Sequence, residues 1–158
     1  MANRYLMPLY KQLYDITFNY SNFDHRMEMQ KAVYLLQDMG VPVGDYGFRW
    51  YLHGPYSQTL QDDMYFESGR TFTTFSLVDE HAERINLLRE LIHSEQRGEY
   101  SLPEWVECLA SLHYLKKNVM GFNATSDAVV AELERRKSHL SNHRINKIAY
   151  DSVEGLFA

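Results

Sequence analysis

The sequence predicts a mainly α-helical chain with a small β element: a multi-helix domain carrying a β-hairpin, in an order that also suits a winged helix. Three observations lead there. Apolar residues recur at spacings of three and four over most of the chain, the spacing of one helix face. In one short stretch, 45–53, that period changes to two. Capping residues, glycines and prolines punctuate the chain between these segments. With 158 residues, 45% of them apolar and 14% aromatic, the chain is long enough and apolar enough to bury a core, and 1–158 reads as a single domain.

Taken in order, Leu6, Leu9, Leu13, Ile16 and Tyr20 predict an amphipathic helix over about 2–19. Ser21, Asn22 and Asp24 offer N-caps for a second helix ending near Met39, with Met29, Ala32, Val33, Leu36 and Met39 on one side. Gly40 is placed to close it and Pro42 to prevent its continuation. Tyr46, Phe48, Trp50 and Leu52 then alternate with Gly47, Arg49, Tyr51 and His53, so 45–53 reads as a strand with one apolar face. Gly54-Pro55 punctuates it, and Ser57 caps a short helix to about Phe66, broken by Gly69. Thr71 to Val78 has strand-forming composition and is the expected partner of the first strand.

The rest reads as helical. Ile85, Leu88, Leu91 and Ile92 stripe a helix of about 79–96. Ser101-Leu102-Pro103-Glu104 has the form of a capping box with proline in the first turn, opening a helix that buries Trp105, Leu109, Leu112 and Leu115. Cys108 within it reads as a small buried side chain. A further helix starts near Ser126. Ser141 is the expected cap of the last, which carries Ile145, Ile148, Ala149, Val153 and Leu156.

Composition narrows the function classes. No apolar run approaches the length of a bilayer span and no secretion signal follows Met1, so a cytoplasmic location without a membrane is expected. With Cys108 the only cysteine, an intrachain disulfide is impossible and no cysteine-based zinc site is expected. Lys+Arg against Asp+Glu count 5 and 5 over 1–60, 4 and 9 over 61–100, and 7 and 7 over 101–158, so the middle segment supplies the whole net charge of −5. Such a chain lacks the basic stripe that phosphate contacts require. The densest basic cluster, Arg135-Arg136-Lys137, reads as a solvated helix face.

Candidate chemistry is sparse. The seven histidines form no His-Glu-x-x-His pattern, and His139 and His143 are separated by an expected helix break at Ser141-Asn142, so no metal site is expected. Gly40, Gly44 and Gly47 lack the spacing of a phosphate loop. His53 with Ser57 and Asp62 or Asp63 can be drawn as a hydrolase set, but Ser57 serves as an N-cap and the aspartates lie on a polar helix face. No catalytic residue and no cofactor are expected. Tyr51 and Tyr56 are the aromatics best placed for exposure. Gln30, Lys31, Tyr34 and Gln37 share one helix face, available either to dock the Gly-Pro turn or to meet a partner.

The segment Met29 to Gln37, followed by Gly40, Phe48, Tyr51-Leu52-His53-Gly54-Pro55-Tyr56-Ser57 and Leu60, resembles the Panacea (SocA-like) antitoxin-associated domain and the related YwgA-like proteins. Residues 107–115 and a final helix after Lys137 extend the likeness more loosely, over about 104–156. Met29 stands where leucine is usual, and His53 interrupts the more typical Tyr-Gly-Pro. The resemblance implies a helical intracellular module that acts by protein contact, in some relatives as an antitoxin or proteolysis adaptor, often in phage-defence neighbourhoods.

The expected function is therefore a non-enzymatic protein-binding regulator, antitoxin-like or a phage-defence accessory, whose partner is a toxin, a protease or a defence protein. Its expected partner-binding or motif residues are Gln30, Lys31, Tyr34, Gln37, Tyr51, His53, Gly54, Pro55, Tyr56 and Ser57. Homo-oligomerisation is compatible with the same surface. A winged-helix-like DNA-binding regulator, using Arg49 and Arg70 near a wing, is the first alternative. A hydrolase or nuclease using His53 and Asp62 or Asp63 is the second.

Overall fold

The computed structural model describes residues 3–70 and 79–158, with the side chains of 79 and 80 left aside. The elements run α1 (Leu6–Tyr14), α2 (Phe23–Asp38), β1 (Arg49–Tyr51), β2 (Gly54–Tyr56), α3 (Gln58–Ser68), α4 (Asp79–Ile92), α5 (Leu102–Tyr114), α6 (Ser126–Arg136) and α7 (His143–Gly155). The architecture is mainly helical with one two-stranded antiparallel hairpin, the fold class that the hydrophobic periodicities predict. No helix among the described residues is long and apolar enough to cross a membrane.

α5 is the central element. Trp105, Val106, Cys108, Leu109, Ala110 and Leu112 are all fully buried, and the helix packs most extensively on α2 and α7. Its start is the expected capping box: Ser101 accepts from the Glu104 amide, and the Glu104 carboxylate accepts from the Ser101 amide at 2.9 Å. The chain leaves α5 through a wider turn at 115–120, where Gly121 N–H reaches Lys116 O at 2.9 Å. α2 begins at Asn22, whose side chain accepts from the amides of Asp24 and His25. It ends at Gly40 (φ +88°), where Gly40 N–H bonds Gln37 O and Val41 N–H bonds Leu36 O at 2.9 Å. This paired closure requires the left-handed conformation that glycine adopts without a Cβ clash.

Several boundaries differ from the sequence reading. α1 stops at Tyr14 because Asp15 takes the left-handed conformation (φ 66°), and Ile16 lies exposed beyond it. The strand expected over 45–53 is limited to Arg49–Tyr51, and its partner is Gly54–Tyr56 across a two-residue turn. The Gly-Pro pair thus begins the second strand instead of ending the first. The expected partner at 71–78 lies outside the described residues. Leu52, expected on the apolar face, occupies the hairpin tip and is 71% exposed. α4 ends at Ile92, before a short 3₁₀ turn at Glu95–Arg97. α7 is capped by Asn142, which accepts from Ile145 N–H at 2.9 Å, instead of by Ser141.

Candidate functional site

The polar face of α2 grips the backbone of the segment that follows it. Gln37 donates to Tyr46 O and accepts from Tyr46 N–H, both at 2.8 Å. Two turns earlier, Gln30 donates to Ser57 O at 2.8 Å and accepts from Ser57 N–H at 2.9 Å. A primary amide carries donor and acceptor together, so each glutamine completes a backbone pair as a neighbouring strand would. Between them, the Lys31 ammonium donates to Pro55 O at 2.7 Å. Ser57 itself accepts from Leu60 N–H and caps α3. Tyr34 packs edge-on against Phe48 at 5.1 Å, with its hydroxyl buried and without a hydrogen-bond partner among the described residues. Burial, with the Asp38 charge adding to it, pushes that phenol up.

The hairpin also sits against α5. Gly54 (φ +90°) lies so close that a Cβ there would meet Ser111 Oγ at 2.3 Å, and the Ser111 hydroxyl is buried without a partner among the described residues. One turn earlier on α5, Glu107 is buried and gathers three side chains from the hairpin turn and from the segment after α6. His139 Nε2 lies 3.1 Å from both carboxylate oxygens, Lys137 Nζ lies 3.5 Å from Oε2, and His53 Nδ1 lies 3.9 Å from Oε1. Lys137 also donates to the carbonyls of Tyr51 and Leu52, and its ammonium lies 4.9 Å from the Trp50 ring centroid.

The electrostatics of this cluster follow from one carboxylate serving two buried ammoniums. Burial pulls Lys31 down to about 7, with Glu107 opposing and Lys137 adding to the shift. Lys137 is lowered by burial against the pull of Glu107. His53 is lowered by burial too, with Glu107 raising it and Lys137, Lys31 and His139 lowering it. Lys137 is thus a buried partner of Glu107, not part of the solvated face expected for 135–137; only Arg135 and Arg136 pair on the surface, with Glu132. The cluster of Glu107, Lys137 and His139 escaped the sequence reading because Glu107 lies on α5 and the other two follow α6. Their one signal was an acidic residue inside the apolar run of α5.

Above this charge cluster lies an aromatic surface. Phe23 meets His53 at 5.1 Å and Tyr51 meets Tyr56 at 5.1 Å, while Tyr20 meets Tyr65 at 5.2 Å. Arg26 joins the first and third of these pairs, 5.2 Å from the Tyr20 centroid and 5.7 Å from that of Phe23. Phe23, Tyr51, Leu52 and Tyr65 are 49%, 57%, 71% and 67% exposed, so the surface is both aromatic and open. A cavity of about 220 Å³ enters it between α2 and the hairpin.

Other candidates resolve differently. His53, Ser57 and the two aspartates do not form a set: His53 turns to Glu107, Asp62 accepts from Gln58 at 3.0 Å, and Asp63 accepts from Tyr46 at 2.6 Å. His139 and His143 fall on either side of the α6–α7 break and pair with Glu107 and Glu134 respectively. Cys108 is buried, and burial raises its thiol. Among the described residues no group of three or more His, Cys, Asp or Glu side chains is arranged to hold a metal ion. A second polar cluster, unforeseen from the sequence, places His113 between Asp38 and Glu154, each at 3.0 Å, with Phe157 stacked on its ring at 3.9 Å. Burial opposes its charge, but hydrogen bonds to the two carboxylates outweigh burial and raise His113.

Comparisons with family models, curated proteins and solved structures give no match to this chain.

Proposed function

We propose that this chain is a non-enzymatic protein-binding regulator that docks its partner through the aromatic surface at the hairpin tip. One observation carries the reading: Phe23, Tyr51, Leu52 and Tyr65 are large and exposed, with the cation of Arg26 over the rings of Phe23 and Tyr20. Exposed apolar patches rimmed by polar groups mark interaction sites, and tyrosine, phenylalanine and arginine are enriched in interface cores. Leu52 and Tyr51 owe their positions to a hairpin pinned from behind by Gln30, Lys31 and Lys137. Such preorganisation reduces the ordering cost of association.

The likeness of about residues 23–66 to Panacea-type sequences supports an antitoxin-like or defence-accessory role, with a toxin, a protease or a defence protein as the partner. Affinity purification from the native host tests the proposal. The wild-type chain should bring down one protein in stoichiometric amount, and Leu52→Asp and Tyr51→Ala should lose it while remaining folded. Recovery of the wild-type chain alone would refute the reading, as would equal capture by both variants.

A further inference from the structure

We propose that the cavity between α2 and the hairpin is a binding site for a small organic anion, a single-ring aromatic carboxylate. The cavity is lined by Phe23, Arg26, Lys31, Tyr51, His53 and Tyr56 among others, and no acidic side chain lines it. That is unusual in a chain of net charge −5. Neither Arg26 nor Lys31 has a carboxylate within ion-pair distance among the described residues; Arg26 donates to Tyr20 O and Lys31 to Pro55 O. Each therefore keeps N–H donors for a ligand, since an ammonium carries three and a guanidinium five.

The charge beneath the cavity is also unbalanced. Lys31 and Lys137 are both buried, and among the described residues Glu107 is the one buried carboxylate beside them. An added anion supplies the missing counter-charge in a site already desolvated, where electrostatic attraction is strongest. The rings of Phe23, His53, Tyr51 and Tyr56 provide flat walls for an aromatic group. Size sets the ligand: about 220 Å³ is below the range of drug-sized or nucleotide sites, which begin at roughly 300 Å³, and fits a single ring with its carboxylate.

Binding should draw a proton onto Lys31, which burial holds near 7 in the empty site. The groups facing it are Glu107, Lys137 and His53. His53 also gains a proton near an anion, so the comparison of wild type with a Lys31 variant isolates the lysine.

The test is titration of the whole chain with benzoate and with its neutral counterpart benzamide, read by NMR at His53 and Tyr51 and by calorimetry in two buffers of different ionisation enthalpy. Benzoate should shift both residues and bind about tenfold or more tightly than benzamide, with net proton uptake near neutral pH. Lys31→Met should weaken benzoate by a similar factor and reduce the proton uptake. Arg26→Gln, at the rim and not in the core, should weaken benzoate without altering the fold. Equal affinity for benzoate and benzamide would overturn the proposal. So would an absence of shifts at millimolar benzoate, or full benzoate affinity in both variants. The titration involves no protein partner, so its outcome and that of the docking reading are separable.

Discussion

At Glu107 one carboxylate faces Lys137 at 3.5 Å and His139 at 3.1 Å, inside a helix whose neighbouring side chains are apolar and buried. Removing its charge strands ammoniums that burial already disfavours. Glu107→Gln should therefore destabilise the protein by about 3 kcal/mol, measured by urea denaturation. Gly54 makes a different residue-scale prediction. Gly54→Ala imposes both a positive φ of 90° on a side chain and a 2.3 Å approach to Ser111 Oγ, at a cost of about 2 kcal/mol or more. Ser111→Ala alone removes a buried hydroxyl without a partner and should be nearly neutral. Combined with Gly54→Ala, it should recover the steric part of the loss but not the backbone part.

Glu28 supplies the pH dependence. Burial pushes its carboxyl up to about 7, the Tyr10 hydroxyl opposes the shift, and the Asp24 charge adds to it. Between the ordinary value of 4.5 and about 7, the folded state holds a proton that the unfolded state has released. Stability contributed at this site therefore falls as pH rises through that window and levels off above it. Glu28→Gln should flatten this fall, on the order of 3 kcal/mol in total, when denaturation midpoints are compared across pH. Lys31 runs the other way. Its folded value of about 7 lies below the ordinary 10.5, so the unfolded state binds more protons between them, and stability from this site rises with pH over that range.

At the scale of elements, the hairpin is held by its own three cross-strand pairs and by α2, from which Lys31 donates to Pro55 O and Gln30 fixes Ser57 just beyond the second strand. Gln30→Ala leaves the N–H of Ser57 without its buried partner, while the Ser57 carbonyl keeps the Gln61 amide at 3.1 Å, and should cost about 1–3 kcal/mol. Hydrogen exchange should show the loss concentrated at 54–60 and not in α5. How legible these elements were depended on how local their causes are. The box at Ser101–Glu104 and the caps at Asn22 and Ser57 involve residues within a few positions of one another; the sequence pattern located the box and Ser57, and offered Asn22 beside Ser21 and Asp24. The hairpin register was not legible, because Arg49 pairs with Tyr56 under the hold of Gln30 and Lys31, more than twenty positions upstream of the second strand. Alternation through Leu52 indicated a longer strand, whereas a two-residue turn places that leucine in solvent. The Glu107 cluster was illegible for the same reason: Lys137 and His139 meet it from the segment after α6, across 30 and 32 positions of chain.

At the scale of the whole molecule, one face carries buried cations beneath exposed aromatics. Its polar residues point inward to backbone carbonyls and amides, and its apolar ones point outward. That inversion matches a surface completed by another molecule, because exposed Leu52 and Tyr51 contribute little to the core of the isolated chain. Leu52→Asp should therefore change the unfolding free energy by less than about 0.5 kcal/mol while removing partner capture. The most direct test is a paired measurement on Leu52→Asp: thermal unfolding of the purified protein and quantitative recovery of the co-purifying protein from native cells. An unchanged unfolding midpoint together with loss of the stoichiometric partner is the predicted result. Undiminished recovery, or no partner even for the wild-type chain, would contradict a docking role for the hairpin tip.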